Sequence, residues 1–192
     1  MNSEKKLYKS ANSFFKEKFG TKIIKIALNG GFTCPNRDGK LSYGGCIFCS
    51  EKGSGDFGGD RLKPIEEQFN DMKKIMNKKW KDGKYMAYFQ SFTNTYAPLP
   101  YLKELFTKAS KLEDVVAISI ATRPDCIDEE LVEFLAELNK KLYICIELGF
   151  QTSKEESIKL INRCYENKVF EDCIKLLNKY NIDTIVHIIL GL

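Results

Sequence analysis

The chain has 192 residues, 43% hydrophobic and 12% aromatic, with 30 Lys and Arg against 26 Asp and Glu, a formal charge of +4. That length and apolar content fit one domain, 1–192, and exclude an intrinsically disordered chain; the small positive charge permits a polyanionic partner without demanding one. No apolar run approaches the roughly 18 residues of a membrane span, and the lysine-rich start MNSEKKLYKS lacks a signal-peptide core. The expected location is therefore cytoplasmic, with no membrane partner. Seven cysteines without a secretory signal argue against a disulfide framework, because a reducing compartment keeps such thiols free.

Residues 10–19 carry Ala11, Phe14, Phe15 and Phe19 at helical spacing and stop at Gly20, which predicts a short lead-in helix packed on one end of the fold. The apolar run from Lys22 to Asn29 predicts a first strand, ended by two glycines. A cysteine-bearing loop, 30–50, follows at that strand's C-terminal end. Next comes EKGSGDFGGD, a glycine-rich stretch without a phosphate-binding fingerprint, expected as a flexible loop. Pro64 opens a helix reaching Trp80, with Ile65, Phe69, Met72, Ile75, Met76 and Trp80 on the side expected to join the core.

Tyr85 to Gln90 reads as the second strand, and Pro98 and Pro100 end it and prepare a helix from Tyr101 to Lys111. Val115 to Ala121 is a third strand running into TRPD, and Asp128 to Asn139 a helix with an acidic first turn. Leu142 to Phe150 is a fourth strand, followed by two helical stretches either side of Asn167, and Asp183 to Leu190 is a fifth. Strand, loop and helix repeated in this way, with near-continuous apolar strands, imply an α/β fold with a parallel sheet covered by helices. A barrel-like curl and a doubly wound open sheet both satisfy the pattern. The open sheet is disfavoured because three cysteines stand where its phosphate-binding glycines belong. In either case the active site is expected at the C-terminal ends of the strands.

The loop GFTCPNRDGKLSYGGCIFCS holds Cys34, Cys46 and Cys49 as C-x11-C-x2-C. A C-x-x-C pair alone is also compatible with a redox pair or half of a zinc site. Three thiolates in one loop are the informative number: structural zinc wants four donors, whereas a [4Fe-4S] cluster on three cysteines keeps one iron open for a ligand. Cys126, Cys145, Cys164 and Cys173 are scattered and expected to be small, mostly buried side chains. His187, the single histidine, lies in IVHIIL and is expected as a buried strand residue, so a histidine acid-base mechanism has no support.

On these residues the loop resembles that of the radical S-adenosylmethionine (SAM) superfamily, whose usual form has three residues between the first two cysteines. The long spacing, with the flanking GFTCPNRDG and GGCIFCS, resembles the branch that includes the catalytic subunit of the Elongator complex and its bacterial YhcC-like relatives. TRPD, ELGFQ, INR and HIILGL follow in family order. The resemblance implies a partial TIM-type (β/α) barrel, usually of six units. About five strands are present here, as though truncated at the C-terminus.

The resemblance further implies a [4Fe-4S] cluster on Cys34, Cys46 and Cys49, reductive cleavage of SAM to a 5′-deoxyadenosyl radical, and an external one-electron donor such as a flavodoxin or ferredoxin. It implies Gln90 and Ser91, in FQSFTNTYAP, as acceptors for the SAM amino group, where the family more often carries a Gly-Gly-Glu-like motif. Glu147 and Gln151 then meet the ribose and Arg163 the SAM carboxylate, while Arg123 and Asp125 line the site. For Glu147 the alternative is a structural ion pair with Arg123 or a lysine, since a carboxylate inside an apolar strand needs a partner. The branch acts on transfer RNA at C5 of the wobble uridine, which makes transfer RNA the implied substrate; a small metabolite or a protein side chain is the rival, and a non-catalytic iron-sulfur or zinc protein the third reading. Lysines crowd the N-terminus (Lys5, Lys6, Lys9, Lys16, Lys18, Lys22, Lys25) and the stretch Lys73, Lys74, Lys78, Lys79, Lys81, Lys84, as candidates for phosphate contact or an ordinary solvated surface.

Overall fold

The computed structural model describes residues 7–192, so Lys5 and Lys6 lie outside the described residues. In chain order the elements are α1 (Ala11–Phe19), β1 (Ile23–Leu28), α2 (Ile65–Asn77), β2 (Lys84–Phe89), α3 (Leu99–Ser110), β3 (Val115–Thr122), α4 (Glu129–Asn139), β4 (Tyr143–Gln151), α5 (Glu155–Leu160), α6 (Asn167–Lys179) and β5 (Asp183–Ile188). The five strands form one sheet in the order β1-β2-β3-β4-β5, every pair parallel. A doubly wound sheet reverses its strand order at a switch point; sequential order is the winding of a barrel. The fold is thus the partial TIM-type (β/α) barrel, and the open-sheet alternative falls.

Alternation along the strands divides the sheet into two faces. On one, Ile24, Ile26 and Leu28 of β1, Ala87 and Phe89 of β2, Ile118 and Ile120 of β3 and Ile144, Ile146 and Leu148 of β4 pack against Phe69 of α2, Phe106 of α3, Leu135 of α4 and Leu177 of α6. The crossover helices therefore cover that face alone. On the other, inner face, α1 supplies Phe15, which packs with Met86, Ala117 and Cys145 and is bordered by Phe19, Ile23, Tyr143 and Ile185. The lead-in helix plugs the lower end of the half-barrel. Its bounds follow from local chemistry: the Ser10 side chain accepts from the Ser13 amide at the start, and Gly20 takes a left-handed φ of 69° at the end.

Three expectations change here. The α2 helix ends at Asn77, Ile75 is exposed, and Trp80 lies past the helix under the Lys22 ammonium, so the stripe toward the core is Ile65 and Phe69 with Met72 and Met76 behind them. Cys164 is exposed, with a φ of 61°, and Cys126 is only partly buried, whereas Cys145 and Cys173 are buried as expected. His187 is half-exposed because β5 is the end strand of the sheet among the described residues.

Phe15 is 6% exposed and is the main side chain filling the lower end. Phe15→Ala should cost about 3 kcal/mol of unfolding free energy in urea titration, the usual penalty for emptying an aromatic core position.

Candidate functional site

Because all strands run parallel, the loops after β1, β2, β3 and β4 meet at one end, where hydrogen bonds tie the loop after β2 to those after β1 and β3, and the loop after β4 to the cysteine loop. The Thr93 amide donates to the Thr33 carbonyl (3.2 Å), joining the loop after β2 to the cysteine loop. Asn94 donates from both its backbone and side-chain nitrogens to the Ala121 carbonyl, and Thr95 Oγ1 meets Thr122 Oγ1 at 2.6 Å, joining β2's loop to β3. The loop after β4 reaches the cysteine loop, with the Ile47 amide donating to the Ile161 carbonyl at 3.2 Å.

Cys34, Cys46 and Cys49 are free, half-buried thiols at this end. The turn that presents them is fixed by the Arg37 and Asp38 amides on the Cys34 carbonyl and by the Cys49 amide on the Cys46 carbonyl. Arg37 Nη2 also donates to the Cys49 and Ser50 carbonyls, at 3.0 and 2.5 Å. Gly44 and Gly45 have φ near +80°, which lets the backbone double back just before Cys46. Burial pushes the Cys46 thiol up, while the Asn36 amide and the Arg123 cation pull the other way. Among the described residues no three His, Cys, Asp or Glu side chains stand close enough to share one metal ion. A cubane, were one bound, would place one iron on each of Cys34, Cys46 and Cys49.

Ser91 is fully buried with its Oγ unpartnered, as are Asn36 Oδ1 and Asn94 Oδ1. A side chain on Gly55 would collide with the Ser91 hydroxyl, and one on Gly53 with the Phe92 ring. The glycine-rich stretch expected as a plain loop is therefore a cover drawn over the end of β2. Gln90 is half-buried at that end. Gln151 ends β4 with a φ of 60° and folds its side chain over Gly149, where a Cβ would strike the amide. The spacing in ELGFQ thus serves to lay Gln151 across the inner face.

Glu147 is 2% exposed and lies at the middle of that face. It accepts from one residue on each of the other four strands: Lys25 Nζ at 2.7 Å, Ser119 Oγ, Tyr88 OH at 3.4 Å and His187 Nε2 at 2.8 Å. The lysine ion pair expected as its structural role is present, with Lys25, and His187 adds a hydrogen bond; Arg123 instead forks onto Asp125. Arg163 is 1% exposed and all five of its N–H groups are taken: Nη1 by the Phe150 and Thr152 carbonyls, Nε and Nη2 by the Tyr165 carbonyl, and Nη2 by Asn167 Oδ1. Its guanidinium braces the end of β4 and leaves no N–H for a cofactor carboxylate.

Two residues of these loops escaped sequence reasoning. Asn36 donates to Cys46 Sγ (3.4 Å) and to the Asn162 carbonyl (2.5 Å), and Asn162 Nδ2 donates to the Gly45 carbonyl (3.0 Å). Only the position of Asn36 two residues after Cys34 hinted at either. The lysines sit elsewhere. Lys16, Lys18 and Lys22 adjoin the start of β1, and Lys78, Lys79, Lys81 and Lys84 the start of β2, at the opposite end from the cysteines. Lys73 and Lys84 pair with Glu113 and Asp114, and Lys25 is the partner of Glu147.

Three free thiols in the first βα loop of a parallel half-barrel are the features that mark this end of the molecule. The chain belongs to the radical SAM superfamily, whose sequence profile matches residues 31–192. It is 51% identical over 191 residues to the uncharacterized protein YtqA of Bacillus subtilis, covering 100% of this chain and 59% of that one. Against protein YhcC of Escherichia coli K12 the identity is 31% over 176 residues, 91% of this chain and 56% of the relative. The chain thus spans a little under three fifths of the length of these relatives. Among the described residues no helix is long and apolar enough to cross a membrane.

Burial pushes the Glu147 carboxyl up, but His187, Lys25 and Ser119 more than offset it and hold the group down at about 2, below its ordinary 4.5. A carboxyl depressed in the folded state stabilises the fold above its unfolded value, and that contribution fades as pH falls from about 4.5 through about 2. The full amount is about 3 kcal/mol at 1.36 kcal/mol per pH unit. Chemical denaturation between pH 6 and 2 should show this loss in the native chain and a flatter profile in Glu147→Gln.

Proposed function

We propose that this chain is the catalytic core of a radical SAM enzyme that binds a [4Fe-4S] cluster through Cys34, Cys46 and Cys49, and SAM beside it. The observation that carries the reading is the trio of half-buried free thiols among the loops at the strand ends. When bound, cluster and SAM supply reductive cleavage of a carbon–sulfur bond and a 5′-deoxyadenosyl radical for hydrogen abstraction, with the electron delivered by an external carrier such as a flavodoxin or ferredoxin. The chain's own residues hold, orient and shield. Gln90, Ser91 and Gln151 are the proposed direct contacts, since they end β2 and β4 and the Ser91 hydroxyl has no protein partner. Glu147 and Arg163 act from behind these contacts, the first by fixing the inner face and the second by bracing β4; direct ribose or carboxylate contact would require each to release a present partner.

Anaerobic reconstitution tests this. The native chain should take up four irons and, with dithionite and SAM, form 5′-deoxyadenosine and methionine. Replacing any one of the three cysteines by Ala should abolish the cluster, and a Cys46→Ala protein that kept four irons would end the assignment. Gln151→Ala should retain the cluster but bind SAM about tenfold more weakly, the size of one hydrogen bond to a ligand.

For the substrate, we propose transfer RNA, modified at the wobble uridine. This reading rests on the likeness of the cysteine loop to the Elongator-related branch, and the lysine-rich segments lend it no help at the catalytic end. Nucleoside profiling of transfer RNA from cells lacking the gene should show an altered wobble-uridine pattern; an unchanged pattern would favour a small metabolite or a protein side chain.

A further inference from the structure

Cys46 is held differently from its two companions. On its N-terminal side the Gly45 amide donates to the Asn36 carbonyl (2.8 Å) while the Gly45 carbonyl accepts from Asn162 Nδ2; on its C-terminal side the Ile47 amide donates to the Ile161 carbonyl. Its sulfur receives the Asn36 amide at 3.4 Å. Cys49 Sγ has a hydroxyl, Ser54 Oγ, at 3.8 Å, and among the described residues Asn36 is the amide donor to a thiol of this loop.

The Asn36 side chain is fully buried, and both of its Nδ2 hydrogens have acceptors, Cys46 Sγ and the Asn162 carbonyl. Turning the amide over would set its oxygen against the Asn162 carbonyl, an obligate acceptor, so that partner fixes which end faces the sulfur. Asn162 makes this possible. It adopts a φ of 54°, which Asn tolerates better than most residues, and so turns its carbonyl to Asn36 while its side chain reaches Gly45 and Ser42 Oγ. A peptide from the loop after β4 and one from the loop after β1, 126 positions apart, close on the same cysteine.

We propose that Asn36 is a positioning residue that sets the reduction potential of the cluster through its N–H bond to Cys46, and that Asn162 is the clasp that keeps Asn36 and Cys46 in register. The physical ground is charge. Reduction of a cluster places one more negative charge on its irons and sulfurs, and a fixed N–H dipole aimed at a ligating sulfur stabilises the reduced form over the oxidised one. Removing that dipole lowers the potential and makes the cluster harder to reduce. The clasp acts on retention, since a loosened ligand loop gives up metal more readily.

This inference rests on the cluster reading above, and its test separates the two. The 192-residue chain is reconstituted anaerobically as native protein, Asn36→Ala, Asn36→Asp, Asn162→Gly and Cys46→Ala. Iron is counted, the potential of the one-electron step is followed by electron paramagnetic resonance, and iron loss to a chelator is timed. The two Asn36 variants should keep four irons with a potential shifted to lower values, more for Asp, whose carboxylate repels the sulfur. Asn162→Gly, which keeps the left-handed backbone but loses the amide, should lose iron about tenfold faster, the low end of what supporting residues of a metal site contribute. A native potential in both Asn36 variants overturns the role of Asn36, and native iron loss in Asn162→Gly overturns the clasp. Pulsed resonance of the native reduced cluster in D2O gives a readout independent of variant folding: an exchangeable deuteron coupled to the cluster is expected, and its absence counts against Asn36. If native protein takes up no iron, or Cys46→Ala still holds four, it is the cluster reading that fails.

Discussion

A carboxylate in the middle of a sheet is the constraint on which the inner face depends. Glu147 is almost wholly buried, and an unpaired charge there would cost several kcal/mol, enough to unfold a domain of ordinary stability. It is tolerated because each of the other four strands contributes one donor, Lys25, Tyr88, Ser119 and His187. The pairing also fixes register, since sliding any strand by one residue would turn its donor to the helix-covered face. A sheet selected only for apolar burial would accept such a slip more readily.

Above and below this polar layer the half-barrel is built for different tasks. Below it, Phe15 of α1 seals the lower end with Met86, Ala117 and Cys145. Above it, the loops are polar and rich in glycine, and their order comes from bonds between loops, because few of their own side chains reach the core. Arg163 belongs to this upper framework: it spends its five N–H groups on carbonyls and an amide oxygen, holding the chain after β4 where it can meet the cysteine loop. The glycine stretch after the cysteines completes it by lying on Ser91 and Phe92. Of the four buried side-chain polar atoms without a partner among the described residues, three, on Asn36, Ser91 and Asn94, lie here, and the fourth is on Thr184 of β5.

Distribution of charge follows the same division. The lysine-rich segments stand at the N-terminal ends of the strands and are partly consumed in ion pairs with Glu113 and Asp114. Near the cysteines two arginines are engaged with backbone and carboxylate, Arg37 on the Cys49 and Ser50 carbonyls and Arg123 on Asp125, and Lys40 lies over the Tyr96 ring. Fixed arginines of this kind stabilise a negative cofactor without needing to move.

The sequence by itself determined the alternation of strands and helices, most helix ends and the cysteine loop, because these depend on local chemistry: Ser10 and Asp128 as caps, Gly20 as a stop, prolines before α2 and α3, and apolar runs for the strands. Family likeness then supplied the chemistry that three thiols at that spacing suggest. Only the tertiary structure decided that the sheet runs in sequential order, that His187 stands half-exposed beside Glu147, that Arg163 is saturated, and that Asn36 and Asn162 meet over Cys46. Each of these turns on which strands become neighbours. A residue's partners 40 or 126 positions away leave no mark on local propensity, since what joins them is the parallel winding that brings every strand end to one place.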